Sequence, residues 1–194
     1  SNGREYTWTF PSGFVLAAGV KHAVNILLQP PFEQQLFLEK CGGTNVKVIT
    51  LIKDHTLWNN SNITFSDETG RSAIRLNAAM DGNHVFLANG SATVGSFKMD
   101  GINTKYASNL KLKFSVAPGS NNSNLRTLVL KYNGEVIVLP SLALTDNTKR
   151  QTITVDLSNV AQSDTGTIEF INTATGVAPF ANFRIDDFEL IGTR

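Results

Sequence analysis

Hydrophobic and polar residues alternate with a period of two along most of the chain, the pattern of strands that bury one face. The clearest stretch is NLKLKFSV at 109–116, where every second residue is apolar. The segment 124–139 predicts a hairpin, because Asn133-Gly134 readily adopts the positive φ angles of a tight turn. Further strands are predicted at 45–52, 72–77, 84–89, 92–99, 151–157, 165–171 and 182–191.

One segment, PFEQQLFLEKCGG, leaves two interpretations open. It predicts either a short helix from about Phe32 to Lys40, stopped by Gly42-Gly43, or another strand. With either, the chain is predicted to be all-β, a sandwich or jelly roll of many short strands.

A seam is predicted between Ile52 and Asn62. Residues 1–52 are too few to bury a core alone, so they form a β segment that packs on the main domain or is the remnant of a preceding domain. Residues 53–194 carry regular strand spacing and form the main sandwich, predicted to be a jelly roll.

In the last predicted strand, FRIDDFELIG, the alternation of apolar and polar residues shifts by one position at two adjacent acids. Phe183 and Ile185 are odd-numbered, whereas the equally apolar Phe188 and Leu190 are even-numbered. A β-bulge at Asp186-Asp187 would return all four to the core. Two ionised carboxylates at such a kink need backbone N–H groups, a cation or an arginine beside them.

The stretch TGRSAIRLN and the final FRIDDFELIG resemble the galactose-binding-like jelly rolls appended to bacterial surface and secreted proteins. This resemblance covers roughly residues 60–194 and implies a jelly-roll sandwich at the cell surface or outside the cell. The opening segment, residues 4–28, resembles fimbrillin-like surface proteins, with His22 where an aromatic residue is usual.

The jelly-roll resemblance also implies a metal site. In those binding modules the residue matching Asp186 often coordinates a structural calcium, and Asp67 and Glu68 are the nearest candidates for further ligands. The alternative is that Asp186 fixes a loop through hydrogen bonds while Asp187 faces solvent near Arg184.

A sugar site needs an aromatic platform flanked by amide and carboxylate groups. Trp58 with Asn59, Asn60 and Asn62 is the favoured platform, and Tyr106 is the second aromatic residue in Asn-rich surroundings. The alternative for Trp58 is a plug in the core or at the edge of the sandwich.

Catalytic chemistry has little support. Nucleophile elbows, zinc-binding HExxH motifs and phosphate-binding glycine loops are absent, and nothing singles out the carboxylates Asp81, Asp100 and Glu135. Cys41 is the lone cysteine, which excludes an intrachain disulfide and predicts a small, partly buried thiol.

Net charge and hydropathy limit the classes of partner that the chain could bind. The net charge of +1 gives no electrostatic case for nucleic acid, no apolar run reaches the length of a membrane span, and no charged-then-apolar targeting leader opens the chain. Together with these exclusions, the jelly-roll resemblance implies a non-catalytic module, extracellular or at the bacterial cell surface, whose expected partner is a glycan or another surface protein. The alternatives are a structural or adhesive domain of a fimbria-like protein with no sugar site, and an accessory domain of a secreted hydrolase.

Overall fold

The computed structural model describes residues 31–42, 48–89, 94–119, 123–174 and 182–194. Strands within these residues are β1 (Glu33–Glu39), β2 (Thr50–Leu51), β3 (Thr64–Ser66), β4 (Ser72–Asn77), β5 (Gly82–Leu87), β6 (Ser96–Ile102), β7 (Ser108–Pro118), β8 (Ser123–Asn124), β9 (Leu128–Tyr132), β10 (Glu135–Ile137), β11 (Ala143–Leu144), β12 (Gln151–Asp156), β13 (Gly166–Asn172) and β14 (Phe183–Thr193). Short 3₁₀ helices cover Ile52–Asp54, Ala78–Met80 and Leu125–Thr127. Within those ranges no helix has the length and apolar character needed to cross a membrane.

The strands form two antiparallel sheets. The large sheet has seven strands in the order β12-β7-β14-β5-β4-β2, with β1 also paired to β14, and the small sheet has five in the order β10-β9-β13-β6-β3. Strands β8 and β11 form a separate short pair. The described part of the chain is therefore an all-β jelly-roll sandwich, which confirms the predicted fold class.

The core lies between the two sheets and is built on aromatic side chains. Phe114 of β7 meets Phe170 of β13 edge-on, with ring centroids 5.0 Å apart. Phe188 of β14 lies 5.5 Å from Phe170 and 5.4 Å from Phe97 of β6. All four rings are fully buried, each contributing roughly 1.5–3 kcal/mol of hydrophobic stabilisation. These ring contacts join the two sheets across the core.

Two local predictions have clear outcomes. The Asn133-Gly134 hairpin is confirmed: β9 and β10 pair around it, with φ of 50° at Asn133 and 84° at Gly134.

The segment Glu33–Glu39 is a strand, so the helical alternative for it is wrong. The strand forms because β14 offers it a free flank, a long-range partner that local sequence does not reveal.

The main body of the fold begins earlier than the predicted seam. Strands β1 and β2 precede residue 53, yet β1 pairs with β14 and β2 with β4 in the large sheet. The compact unit accordingly spans Glu33–Arg194. Residues 1–30, which include the fimbrillin-like stretch, lie outside the described residues, so their role stays a prediction.

The predicted bulge in β14 is confirmed. The register of β14 against β7 shifts between Asp186 and Glu189, and Asp187 adopts a φ of 54°. On its other flank β14 pairs with β5 as far as Ile185 and with β1 from Phe188 onward. The bulge therefore lies where the neighbouring strand changes, and it returns Phe188 to the core.

Candidate binding groove

A polar groove with a volume of about 670 Å³ lies on the solvent side of the large sheet. Two of its residues are exposed next to buried ones along their strands: Lys113 precedes Phe114, and Thr152 precedes Ile153. The lining consists of Gln35, Leu38, Lys40, Gly42, Asn59, Met80, Asp81, Gly82, Asn83, Lys113, Phe114, Ser115, Arg150, Thr152, Asp186, Asp187 and Glu189. The groove thus crosses the middle of the sheet, over the β14 bulge.

Ion pairs hold the polar side chains of the groove in place. Arg150 lies at the centre: its Nη1 is 3.2 Å from Asp187 Oδ2 and its Nη2 is 3.8 Å from Asp81 Oδ2. Ser115 Oγ donates a second hydrogen bond to Asp187 Oδ2 at 2.9 Å. Asp187 therefore pairs with Arg150, so the expectation that it faces solvent near Arg184 is wrong. The bulge directs the Asp187 side chain into the groove.

A second ion pair lies along the same strands. Lys113 Nζ of β7 is 3.2 Å from Glu189 Oε2 of β14, and both side chains are partly exposed. The two residues are cross-strand partners in the register of these strands. The groove therefore presents fixed donors and acceptors of both charges.

Asp186, the other acid of the bulge, is buried beside the groove. It is 5 % exposed, and its Oδ1 has no hydrogen-bond partner among the described residues. Burial raises the pKa of this carboxyl to about 7, and the negative charge of Asp187 adds to the effect. The Cys41 thiol hydrogen-bonds to Asp186, and burial raises the thiol pKa well above its ordinary value. Asp186 and Cys41 thus favour their neutral forms.

Calcium requires six to eight oxygen ligands, several of them ionised carboxylates. The unpartnered Oδ1 of Asp186 meets that demand only in part. The side chain next to it is the Cys41 thiol, whose sulfur is a poor calcium ligand. Nearby Glu39 accepts hydrogen bonds from the backbone N–H groups of Asn59 and Asn60. In the described ranges no group of three or more His, Cys, Asp or Glu could hold a metal ion. The donor set does not fit calcium.

The two further ligand candidates lie in a loop of their own. Asp67 accepts hydrogen bonds from Thr69 N, Thr69 Oγ1 and Ser96 Oγ, at 2.7–3.0 Å. These bonds fix the turn that leads into β4, and neither Asp67 nor Glu68 lines the groove beside Asp186. Calcium at Asp186 stays a prediction of the resemblance that this arrangement does not support.

Removing divalent metal should leave the stability unchanged. Because the residues around Asp186 do not supply a calcium ligand set, we expect the melting temperature to be the same in excess chelator and in millimolar calcium at pH 7.5. Differential scanning calorimetry measures this. A chelator-induced drop that Asp186→Ala abolishes would show that calcium binds there after all.

The Trp58 side chain, the predicted sugar-stacking platform, packs against the core of the sandwich. The indole stacks on Phe65 with centroids 3.9 Å apart, meets His55 edge-on at 4.6 Å, and packs against the core. Asn59 Oδ1 accepts hydrogen bonds from Lys40 N and Gly42 N. This geometry matches the alternative for Trp58, a plug at the edge of the core.

Asn60 and Tyr106, the other predicted sugar-binding residues, do not lie together at one site. Asn60 Nδ2 donates to Leu38 O at 2.6 Å and to Glu39 Oε2 at 2.9 Å, which anchors the end of β1. Tyr106 is 53 % exposed in the turn before β7, with a φ of 65°. Neither residue lines the groove, and no ring contact between described residues joins Tyr106 to Trp58. The predicted sugar site is not brought together as one surface, although a ligand role for its members stays untested.

The three carboxylates considered for catalysis are also dispersed. Asp81 lies at the groove beside Arg150, whereas Asp100 of β6 pairs with Lys98 at 3.1 Å in the small sheet. Glu135 is exposed in β10, at the edge of that sheet. They do not form a pair that could act on one glycosidic bond.

No protein-family model and no curated protein matches the chain. Among solved structures, a xylan-binding CBM22 domain of Paenibacillus barcinonensis is 10 % identical, with a TM-score of 0.47, covering 84 % of this chain and 97 % of that one. A family 35 carbohydrate-binding module of Clostridium thermocellum is 14 % identical, with a TM-score of 0.42, covering 76 % and 98 %. These similarities are too distant to assign a ligand to this chain.

Proposed function

We propose that the protein is a non-catalytic binding module, secreted or displayed at the bacterial cell surface, that takes a glycan in the groove of the large sheet. The observation that carries this proposal is the groove itself. It combines a volume suited to a small ligand with side chains that donate and accept hydrogen bonds.

Sugar hydroxyls both donate and accept hydrogen bonds, so they need fixed partners of both kinds close together. Asp187 with Arg150 and Glu189 with Lys113 provide such partners. Hydrogen bonds in which one partner is ionised are roughly twice as strong as neutral ones, which compensates for the water that a sugar loses.

The proposal is for binding without catalysis. Cleavage of a glycosidic bond requires a carboxylic acid with raised pKa that reaches the substrate, together with a free carboxylate. The groove carboxyl with raised pKa, Asp186, is almost fully buried and hydrogen-bonded to Cys41. Asp187 and Glu189 are ion-paired with Arg150 and Lys113.

A glycan array followed by titration of the best ligand tests this function. Thr152 lies exposed at the groove, so Thr152→Trp is expected to block the groove and weaken binding by about tenfold or more, without altering the fold. Val129→Trp on β9 of the small sheet is the matched control and should bind like the wild type.

Two results would contradict the proposal. If the wild type binds no glycan on the array at millimolar concentration, a structural or adhesive role replaces it. If Val129→Trp loses binding and Thr152→Trp does not, the chain binds glycans on the other sheet and the groove is not the site.

A further inference from the structure

Two arginines lie on the same outer face of the large sheet as the groove, around an aromatic ring. Arg75 of β4 places its guanidinium carbon 3.7 Å from the centroid of Phe86 on β5. Arg184 of β14 is the cross-strand partner of Phe86 on its other side. Both arginines are partly exposed, whereas Phe86 is buried beneath them.

Neither guanidinium has an acidic partner among the residues that the structure describes. Arg184 donates to the backbone oxygens of Asn147 and Gly119, at 2.8 and 3.1 Å. Arg75 Nε is buried without a hydrogen-bond partner. Across the described ranges, no carboxylate lies within 4 Å of either guanidinium. Uncompensated positive charge at a partly desolvated position is costly, so these arginines lack the neutralisation that Arg150 has.

His84 gives an independent sign that polar groups beside Arg75 and Arg184 lack hydrogen-bond partners. It faces Arg75 across β4 and β5, and it is 1 % exposed. Its Nδ1 lies 3.5 Å from Gly82 O, while its Nε2 is buried with no partner. Burial lowers the His84 pKa to about 4, with smaller effects from the positive charges of Arg184 and Arg75. Two buried nitrogen atoms, one on His84 and one on Arg75, thus lack partners at the same place.

We propose that Arg75 and Arg184 form a subsite for an anionic group, the carboxylate or sulfate ester of an acidic glycan. This inference rests on the proposed glycan-binding function and names the class of glycan. An oxyanion would accept hydrogen bonds from the guanidinium groups and neutralise the charge that the protein leaves uncompensated.

The subsite lies close enough to the groove for one ligand to span both. Arg184 and Glu189 are on the same strand, and five residues of strand extend roughly 16 Å. The groove residue Asp187 lies between them. A short oligosaccharide lying along β14 could place its hydroxyls in the groove and its acidic group at the arginines.

Binding of a matched ligand pair tests the inference. The probes are a tetragalacturonide and its carboxyl-reduced neutral derivative, titrated by calorimetry at low ionic strength. We expect the wild type to prefer the acidic form by about tenfold, as expected of charge-assisted hydrogen bonds. Arg75→Gln should remove this preference and leave the affinity for the neutral form within about twofold, whereas Arg75→Lys should retain part of it. Arg126→Gln, on the 3₁₀ helix Leu125–Thr127, is the control variant.

Sodium sulfate, which carries the same anion chemistry without a sugar, provides a second arm. Sulfate stabilises most proteins, so the readout is the difference in melting-temperature shift between the wild type and Arg75→Gln. A shift lost in Arg75→Gln while neither saccharide binds would support the anion site and contradict an acidic glycan as its ligand, whereas the glycan array tests the proposed function separately. Equal sulfate shifts and an unchanged preference for the acidic saccharide in Arg75→Gln would overturn the subsite.

Discussion

Deletion of Asp187 is expected to abolish folding. Asp187 is the extra residue of the β14 bulge, and side chains alternate between the two faces of a strand. Without it, Phe188 and Leu190 would turn to the outer face and their polar neighbours would enter the core. Each of these two side chains is fully buried, and removing a large core side chain costs roughly 2–5 kcal/mol. The sum approaches the whole stability of a domain.

Asp187→Gly is the matched control for the deletion. It retains the bulge and suits the φ of 54°, while losing the ion pair with Arg150. We expect this variant to fold with a cooperative melt within a few degrees of the wild type, as recorded by circular dichroism. If the deletion variant melted like Asp187→Gly, β14 would not need the bulge to fill the core.

Replacement of Asp186 by asparagine is expected to stabilise the protein above pH 7. The folded pKa of Asp186 is about 7 against 3.8 for an ordinary aspartate, so the folded state holds its proton more tightly than the unfolded state. The resulting stability is fully present below about pH 4 and is lost as the pH rises to 7. At 1.36 kcal/mol per pKa unit, the loss is roughly 4 kcal/mol, and asparagine does not incur it.

His84 acts in the opposite direction over nearly the same range. Its folded pKa of about 4 lies below the ordinary 6.5, so its contribution is present above pH 6.5 and is lost as the pH falls toward 4. That loss is roughly 3 kcal/mol. The two groups nearly cancel in the wild type between pH 4 and 6.5. Asp186→Asn should therefore become more stable as the pH rises through this range.

Urea denaturation at pH 4.5, 6 and 8 measures the difference. The free energy of unfolding of Asp186→Asn minus that of the wild type should increase from pH 4.5 to pH 8. Asp156→Asn, at an exposed carboxylate whose pKa is lowered by hydrogen bonds from Ser158, should lack this increase. A constant difference for Asp186→Asn would mean that Asp186 ionises normally. A less stable variant at pH 8 would favour a bound cation.

Local patterns predicted the strands and the bulge because both depend on alternation along one segment. The apolar positions of NLKLKFSV are buried in β7, and the phase change at Asp186-Asp187 is the bulge. Strand β1 was ambiguous, because its pairing with β14 joins residues about 150 positions apart in the sequence. Strands β1 and β2 join the large sheet ahead of the predicted seam through long-range partners of the same kind.

The candidate site was harder to predict, since it depends on which strands become neighbours. Thr152 faces Ser115 and Lys113 faces Glu189 only because β12, β7 and β14 are adjacent in the large sheet. The alternation did mark Lys113 as outward-facing, but nothing nearby in the sequence indicated its partner. Trp58 was singled out by its Asn-rich surroundings, yet those asparagines hydrogen-bond to Glu39 and the end of β1.

Chemical-shift mapping with the tightest glycan from the array tests the central claim most directly. On titration, we expect the largest amide shifts at 113–115, 150–152 and 187–189, the three strand segments that meet in the groove. Arg75 and Arg184 should respond as well when the glycan is acidic. Shifts confined to β9 and β13 of the small sheet, or to the turn around Tyr106, would contradict the assignment of the groove as the binding site.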